Sequence, residues 1–256
     1  MIDTHAHLYS KQFNDDRDEV IKRSVENGVN YLVIPAIEKK SFASLMELCN
    51  KYPGICFPTV GLHPTSVKDD YEQELAFVEE QLNQKNNFVA IGEIGIDCHW
   101  SLEHIVQQRD AFERQVKLAE QNGLPVIIHA REAFHEIFPI LDRIHNPNVK
   151  GVFHSFAGTV EDYYKIKEYQ TFKIGIGGVV TFKNSDLPNV VNIIPIEEIV
   201  LETDAPYLAP HPYRGKRNES SYIPLIAQKI AEIKNISIAK VDEITTNNAK
   251  ELFNLK

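Results

Sequence analysis

The segment Leu124-Pro125-Val126-Ile127-Ile128-His129 is a short apolar run that ends in a histidine. Its length and its β-branched residues predict a buried strand. His5, His7 and His154 also stand at the carboxyl ends of runs that predict strands. In a barrel of parallel strands all such ends converge on one face, where catalytic residues gather. We therefore expect these four histidines to meet in one site.

Strand-like runs alternate with amphipathic stretches along the chain, which is typical of repeated βα units and a parallel sheet. The eight predicted strands cover residues 1–7, 29–36, 55–61, 88–94, 125–129, 151–154, 172–175 and 198–202. The predicted helices cover residues 15–27, 40–51, 69–85, 102–122, 132–144, 159–169, 186–193 and 220–234. Residues 237–255 predict a closing helix or two shorter ones.

Eight strand–helix pairs in 256 residues predict an α/β fold, a closed (β/α)8 TIM barrel that forms a single domain over residues 1–256. The alternative is an open doubly wound sheet. The Gly-x-Gly-x-x-Gly fingerprint that would favour a dinucleotide site in such a sheet is missing from the sequence. Gly175, Gly177 and Gly178 are too closely spaced and follow the seventh predicted strand.

The charge balance and the cysteines narrow the classes of function. Lys and Arg number 27 against 36 Asp and Glu, so the net charge of −9 gives no overall positive field and any phosphate binding must be local. Cys49, Cys56 and Cys98 fit neither a disulfide framework nor a zinc ribbon, and they predict free thiols in a reducing compartment. Without a signal peptide or a membrane-spanning run, the sequence predicts a cytoplasmic protein that does not associate with membranes. It gives no indication of an obligate protein partner.

Two carboxylates join the four histidines as candidate metal ligands. His5 and His7 are two residues apart on an extended strand, so both side chains project to the same side and can hold one ion. Glu93 and Asp204 also follow apolar strand residues, which makes six candidate ligands from five strand ends. Six ligands are too many for one zinc ion, whereas a carboxylate can bridge two divalent ions. The residues therefore predict one ion on His5, His7, Glu93 and Asp204, and a second on Glu93, His129 and His154.

The identity of the two divalent ions stays open among Mg²⁺, Mn²⁺ and Zn²⁺. A different interpretation makes Glu93 and Asp204 structural salt-bridge partners, for which Arg131 is the only obvious basic residue at a strand end. A single histidine at a strand end is also more often a hydrogen-bonded core residue than a metal ligand. Four such histidines together with two acids favour the metal site.

Several motifs of the chain, taken together and in order, resemble one known family. They are Ile2-Asp3-Thr4-His5-Ala6-His7-Leu8, Gly61-Leu62-His63-Pro64, Ile91-Gly92-Glu93-Ile94-Gly95-Ile96-Asp97, His154-Ser155-Phe156-Ala157-Gly158, Leu201-Glu202-Thr203-Asp204-Ala205-Pro206-Tyr207-Leu208 and Arg214-Gly215-Lys216-Arg217-Asn218-Glu219. Over essentially the whole chain they resemble the TatD family of metal-dependent deoxyribonucleases.

The resemblance implies a barrel of the amidohydrolase superfamily, the metallo-dependent hydrolase type, with a divalent-metal site. It also implies hydrolysis of phosphodiester bonds in DNA, with trimming of single strands from the 3′ end. The family's metal ligands fall on His5, His7, Glu93, His129, His154 and Asp204 of this sequence.

Roles can be assigned to the carboxylates if the site hydrolyses phosphodiesters. Asp204 is the candidate general base as well as a ligand, and Glu93 is the bridging ligand. Glu202 lies two residues before Asp204 on the same side of the strand, so it is a candidate for orienting a ligand or a proton. A charge inside the barrel that is paired with a neighbour is an equally good interpretation of Glu202.

Candidate phosphate contacts follow the strands as well. Arg214, Lys216 and Arg217 form a short cationic cluster after the eighth strand, and Arg131 follows His129 by two residues. A solvated charge run is the alternative for that cluster. His63 is a candidate for binding phosphate or donating a proton to the leaving group, with capping of its loop as the alternative.

Three functions remain in competition at the level of sequence. The first is a metal-dependent deoxyribonuclease acting on single-stranded DNA, for which Trp100, Tyr207 and Tyr213 are candidate stacking residues, unless they pack loop on loop. The second is a hydrolase of a small-molecule ester, lactone or amide, since the same ions polarise a carbonyl. The third is a non-catalytic metal-binding or DNA-binding scaffold, against which the full set of ligands argues.

Overall fold

The computed structural model describes residues 1–84, 86–144 and 146–256. All eight predicted strands are present within these residues. They are β1 (Ile2–Asp3), β2 (Tyr31–Ile34), β3 (Cys56–Pro58), β4 (Ile91–Asp97), β5 (Val126–Arg131), β6 (Gly151–Phe153), β7 (Phe172–Ile176) and β8 (Ile199–Leu201). Most strands are shorter than predicted, but β4 and β5 run three and two residues further than the predicted ends at 94 and 129.

The strands form a closed ring of parallel neighbours. β1-β2-β3 and β4-β5-β6-β7-β8 are two sets of parallel strands in chain order. Between β8 and β1, the Thr4 amide donates to the Leu201 carbonyl at 3.0 Å. Between β3 and β4, the Gly92 amide donates to the Val60 carbonyl at 2.9 Å. Hydrogen bonds therefore connect every strand to the next, which confirms the (β/α)8 TIM barrel.

Helices follow the strands along the chain. They are α1 (Arg17–Glu26), α2 (Lys39–Lys51), α3 (Tyr71–Asn83), α4 (Ile105–Asn122), α5 (Phe134–Ile144), α6 (Val160–Glu168), α7 (Leu187–Ile193), α8 (Ile223–Lys234) and α9 (Ile238–Phe253). The predicted helix 69–85 corresponds to α3, and its last residue, Lys85, lies outside the described residues. Residues 237–255 contain one helix, α9, rather than two, and the Ser237 hydroxyl caps its start by accepting from the Lys240 amide.

The last helix closes one end of the barrel. Leu252 and Phe253 of α9 belong to an apolar cluster with Ile2, Ile127 and Val200 of the strands. The larger core lies between the strands and the outer helices and includes buried Phe112 on α4. Since α9 covers one end of the barrel with apolar side chains, the polar chemistry is left to the carboxyl ends of the strands.

The cysteines are free thiols, as the sequence predicts, and both Cys49 and Cys56 are buried. Among the helices of the described residues, none combines the length and the apolar character that crossing a bilayer requires.

Candidate metal centre

Four side chains, one in β4 and three just after the ends of β1 and β8, direct ligand atoms toward one point. The Nε2 atoms of His5 and His7 lie 3.1 Å apart. Glu93 Oε2 lies 3.1 Å from the first of these atoms and 3.5 Å from the second. Asp204 Oδ1 lies 3.8 Å from His5 Nε2 and 3.6 Å from His7 Nε2. The structure thus brings together the four residues predicted to hold the first ion.

These separations fit a bound cation. Ligand atoms about 2.1 Å from a tetrahedral ion lie about 3.4 Å from one another, and the five distances above span 3.1 to 3.8 Å. Two imidazoles and two carboxylates are also the donor types that divalent ions such as Zn²⁺ and Mn²⁺ accept. The four side chains are therefore able to hold one divalent metal ion.

The second oxygen of Glu93 faces a different set of histidines. Glu93 Oε1 lies 3.0 Å from His129 Nδ1, 3.2 Å from His63 Nε2 and 3.6 Å from His154 Nε2. His129 and His154 are the residues predicted for the second ion. His63 is an addition, since its sequence context pointed to phosphate contact or loop capping. The Glu93 carboxylate lies between two groups of imidazole nitrogens, which is the arrangement of a bridging ligand.

His63 has one of the roles predicted for it, the capping of its loop, and it also faces the candidate metal ligands. Its Nδ1 accepts a hydrogen bond from the Thr65 amide at 3.1 Å and so caps the short 3₁₀ helix Pro64–Ser66. That contact fixes the ring with Nε2 toward Glu93. His63, Glu93 and His129 therefore form a second group of ligand atoms, all within 4.8 Å of one another.

The backbone explains why Glu93 points into the site although β4 continues past it. In the pairing of β4 with β5, Ile91 lies opposite Val126 but Ile94 lies opposite Ile128, so β4 contains one extra residue. Such a bulge re-aims the side chain at that position and is common beside active sites. Asp204 is placed by another local feature, a left-handed backbone with φ 57°, which Asp tolerates better than most residues.

Burial and charge set the protonation of the site. Burial lowers the pKa of His5 well below its ordinary value and also lowers that of His63, so both favour the neutral form that binds metals. Burial alone would raise the pKa of Glu93, but the neighbouring imidazoles of His63, His5 and His154 hold it well below its usual range. Burial raises the pKa of Asp204 to about 6.

Glu202 lies behind His154. Its buried carboxylate approaches His154 Nδ1 to 3.0 Å, and Oε1 accepts a hydrogen bond from the Ser155 amide. Gly175 makes room for it, because a Cβ at that position would overlap Glu202 Oε2. His154 Nε2 is left facing Glu93. Glu202 is thus a partner of a candidate ligand, and it also belongs with His5 and His154 to a third group of clustered ligand atoms.

Asp97 is a site residue that the sequence reasoning missed. Its Oδ2 lies 2.8 Å from His129 Nε2, while its Oδ1 accepts hydrogen bonds from the amides of His99 and Trp100. A carboxylate that holds one nitrogen of a histidine directs the other toward the metal. The motif containing Asp97 was visible in the sequence, but the predicted strand ended at residue 94, which left Asp97 outside the site.

The three arginines predicted to contact phosphate differ in their exposure and in whether they are paired with a carboxylate. Arg131 is exposed and its guanidinium lies over the Trp100 ring, 5.1 Å from the centroid. Arg214 is exposed as well and lies over Phe182. Arg217 is instead held by both oxygens of Asp16, at 2.8 and 2.6 Å.

Comparison with known families provides an independent result. The family described as TatD related DNase matches residues 2–254 of the chain. The chain belongs to the TatD family. This TatD-family protein is 38% identical over 256 residues to the metal-dependent hydrolase YabD of Bacillus subtilis, which covers all of this chain and 99% of that one. These findings confirm the resemblance, and the protein is a metal-dependent hydrolase.

Two further relatives extend the comparison of the TatD-family chain. It is 34% identical over 262 residues to the 3'-5' ssDNA/RNA exonuclease TatD of Erwinia tasmaniensis, and the match covers 100% of both chains. Its fold is similar to the crystal structure of the TatD homologue YJJV from Escherichia coli, with a TM-score of 0.93 and 28% identity over 100% of this chain and 98% of that one.

Proposed function

We propose that this chain hydrolyses phosphodiester bonds of single-stranded DNA, from the 3′ end, with two divalent metal ions. The observation that carries the proposal is the position of Glu93, whose two oxygens face separate groups of imidazole nitrogens. Two-metal sites of this kind serve in-line displacement at phosphorus in many nucleases. The TatD relative of Erwinia tasmaniensis is named for 3'-5' exonuclease action on ssDNA and RNA, which supports the choice of substrate.

In this proposal the distances to the two Glu93 oxygens separate the ligands into two groups. His5, His7, Glu93 and Asp204 would hold one ion, and Glu93, His129 and His154 would hold the other, with His63 close enough to Glu93 to contribute to the second. When bound, such ions supply an activated water and stabilise the charge that develops on the leaving oxygen.

Asp204 is the group best placed to move a proton. Its side chain is 16% exposed, whereas that of Glu93 is 3% exposed. A carboxylate open to the substrate side can accept the proton that a water molecule releases as it attacks phosphorus, and Asp204 takes this role as general base. Glu202 contacts His154 and not the substrate side, so we assign it a positioning role.

Binding of the DNA backbone falls to the exposed cations at the rim. Arg131 and Arg214 have exposed guanidinium groups, which suit bidentate contact with phosphate. We assign Arg217 to holding the loop through Asp16, because contact with DNA would require that ion pair to break. His63 contributes through its position beside Glu93 and not as a free phosphate contact.

We further propose that residues 1–256 act as one hydrolase domain and that the reaction takes place in the cytoplasm. The free thiols of Cys49, Cys56 and Cys98 support a reducing compartment.

Cleavage of end-labelled oligonucleotides tests the proposal. Metal-stripped protein is given Mg²⁺, Mn²⁺ or Zn²⁺ separately, with 5′-labelled and 3′-labelled single strands of DNA and of RNA as substrates, and with Asp204→Ala as control. We expect stepwise, metal-dependent shortening of 5′-labelled DNA and early release of the 3′ label, both absent in the variant. Hydrolysis of a small ester or lactone without cleavage of any oligonucleotide would overturn the proposal.

A further inference from the structure

A cavity of about 270 Å³ lies beside the metal-ligand cluster, between the Pro64–Ser66 turn and the residues that follow β4. Its lining includes Thr65, Lys68, Asp97, Trp100 and Gln108. Ligand pockets for drug-sized molecules measure about 300–1,000 Å³. The cavity is slightly smaller than this range, so its size suits one planar ring with its sugar and not a longer stretch of chain.

Two of the lining residues connect the cavity directly to the site. Thr65 Oγ1 lies 2.7 Å from His63 Nδ1, and Asp97 Oδ2 lies 2.8 Å from His129 Nε2. The other nitrogens of the same two histidines face Glu93 Oε1. On each of these two paths, one imidazole ring therefore separates the cavity wall from the Glu93 carboxylate.

Trp100 is the most unusual residue in the lining. It is 70% exposed, although an aromatic ring of this size is buried in most proteins. Asp97 Oδ1 accepts from the Trp100 amide at 3.2 Å, so the carboxylate that holds His129 also holds the backbone of Trp100. Arg131 lies over the indole. The backbone of Trp100 is thus tied to the site and its ring contacts Arg131, while most of the residue remains exposed.

The charges around the cavity indicate what it would accept. Lys68 stands at the rim together with Glu103, and the Asp97 carboxylate is occupied by His129 and two amides. A cavity with this mixture of charges does not favour a phosphate inside it. An aromatic wall and the Gln108 amide favour an uncharged planar group with polar edges, and base–aromatic stacking is a common means of holding single strands.

We propose that this cavity is a subsite for one nucleobase next to the scissile phosphodiester, with Trp100 as the stacking surface. Lys68 in the cavity lining and Arg131, whose guanidinium lies over the indole, are the cations that we assign to the adjoining backbone phosphates. The inference rests on the proposed function, since it names the part of the DNA that the site grips. It gives the enzyme affinity for any strand that carries bases, because every base has a face that stacks.

Three variants and two substrates test the subsite. Trp100→Ala removes the surface and Trp100→Phe keeps an aromatic ring. Leu102→Ala is the matched control, because Leu102 is 60% exposed on the same loop and does not line the cavity. The substrates are a single-stranded thymidine oligonucleotide and the same oligonucleotide with abasic sites at its three 3′-terminal positions, each measured for KM and kcat with the metal that supports cleavage.

On the normal oligonucleotide, Trp100→Ala is expected to raise KM about 10-fold with a smaller change in kcat. Trp100→Phe is expected to raise KM about threefold or less, because it keeps an aromatic ring. Leu102→Ala is expected to match the wild type. On the abasic substrate, the KM values of the wild type and Trp100→Ala are expected to differ by less than about twofold, because there is no base to stack.

Equal KM values for wild type and Trp100→Ala on the normal oligonucleotide would overturn the subsite, as would a loss that is equally large on the abasic strand. Both outcomes leave the nuclease proposal standing. If the wild-type protein cleaves neither oligonucleotide with any metal, the proposed function itself fails, and the subsite fails with it.

Discussion

The Nε2 atoms of His5 and His7 lie 3.1 Å apart, and Glu93 Oε2 lies 3.1 Å from the first of them. Two residues of the segment that follows β1 thus direct the same ring atom to a point that a carboxylate of β4 also faces. Residues two apart can do this because successive side chains of an extended chain take opposite sides, so that every second side chain shares a side. The arrangement makes Glu93 the residue on which the site depends most.

Glu93→Gln is expected to lower kcat by roughly 1,000-fold or more, because an amide is a poor ligand and the carboxylate serves both groups of histidines. Metal content measured by atomic emission should fall along with activity, and the circular dichroism spectrum should stay that of a folded protein. Glu243→Gln, a change on the exposed face of α9, is the control. A Glu93→Gln protein with full metal content and activity would contradict the assignment.

Removal of metal is expected to destabilise the protein. An ion that binds the folded state alone stabilises it by about 2.7 kcal/mol when the ion is present at 100 times its Kd. Thermal unfolding in the presence of a chelator should therefore begin several degrees lower than with Mn²⁺ or Zn²⁺. Asp204→Ala should show a smaller difference between the two conditions. Identical unfolding temperatures for metal-loaded and chelated wild type would argue against a bound ion.

Asp97→Asn tests the contact with His129. The amide keeps the size of the side chain but loses the charge that fixes the ring through Nε2. Loss of such a partner typically costs 10–100-fold in metal affinity or activity. A metal titration should show a weaker second binding step, while the first step, on His5 and His7, is retained. An unchanged titration would show that Asp97 only holds the loop.

Gly175→Ala is expected to displace Glu202, because the new Cβ would overlap its carboxylate. We expect a loss of about 1–3 kcal/mol in the free energy of unfolding, measured by urea denaturation, together with reduced activity as His154 loses its partner. Gly177→Ala is a matched control, since a Cβ there meets Glu202 atoms only at ordinary contact distances of 3.6 Å and more. Equal effects of the two substitutions would contradict this role of Gly175.

The pair Arg23–Glu219 predicts a pH dependence of stability away from the site. Glu219 is partly desolvated, which raises its pKa, but the Arg23 guanidinium and the Ser221 hydroxyl outweigh this and lower it. A lowered pKa in the folded state stabilises the protein above the unfolded value of about 4.3, and that contribution is lost as the pH falls through the folded value.

Glu219→Gln is accordingly expected to lower the free energy of unfolding by about 1–3 kcal/mol at pH 7, because a charge-assisted bidentate pair is lost. The difference from wild type should shrink as the pH falls below the unfolded value of about 4.3 and through the lowered folded value, where the carboxylate gains its proton. Urea denaturation at pH 7, 5 and 3 measures both quantities. If the difference in the free energy of unfolding did not depend on pH, the effect of the substitution would come from packing and not from the charge of Glu219.

Much of the barrel was predictable because its strands are short apolar runs separated by amphipathic helices. The carboxyl ends of β4 and β5 were not predictable in the same way. In β4, Gly92, Glu93 and Gly95 interrupt the apolar pattern although the strand continues to Asp97. Glu93 therefore lies inside a strand, at a bulge, and its direction follows from pairing with β5. Pairing between strands is a property that one strand's sequence does not contain.

The candidate site was predictable to the extent that its residues follow strands. The six predicted ligands converge, but His63 joins them only because the ring closes between β3 and β4. Arg217 shows the opposite case. Its charge suggested phosphate binding, but its partner Asp16 is 201 residues away in the sequence, and only the fold brings the two together.

Locating the ions beside Glu93 tests the two-metal proposal most directly. Crystals grown with Mn²⁺ and measured for anomalous scattering should show two peaks, one next to each oxygen of the Glu93 carboxylate. One peak should lie among His5, His7 and Asp204, and the other near His129 and His154. A single peak, or two peaks that do not share Glu93, would contradict the bridging role and with it the proposed two-metal hydrolysis.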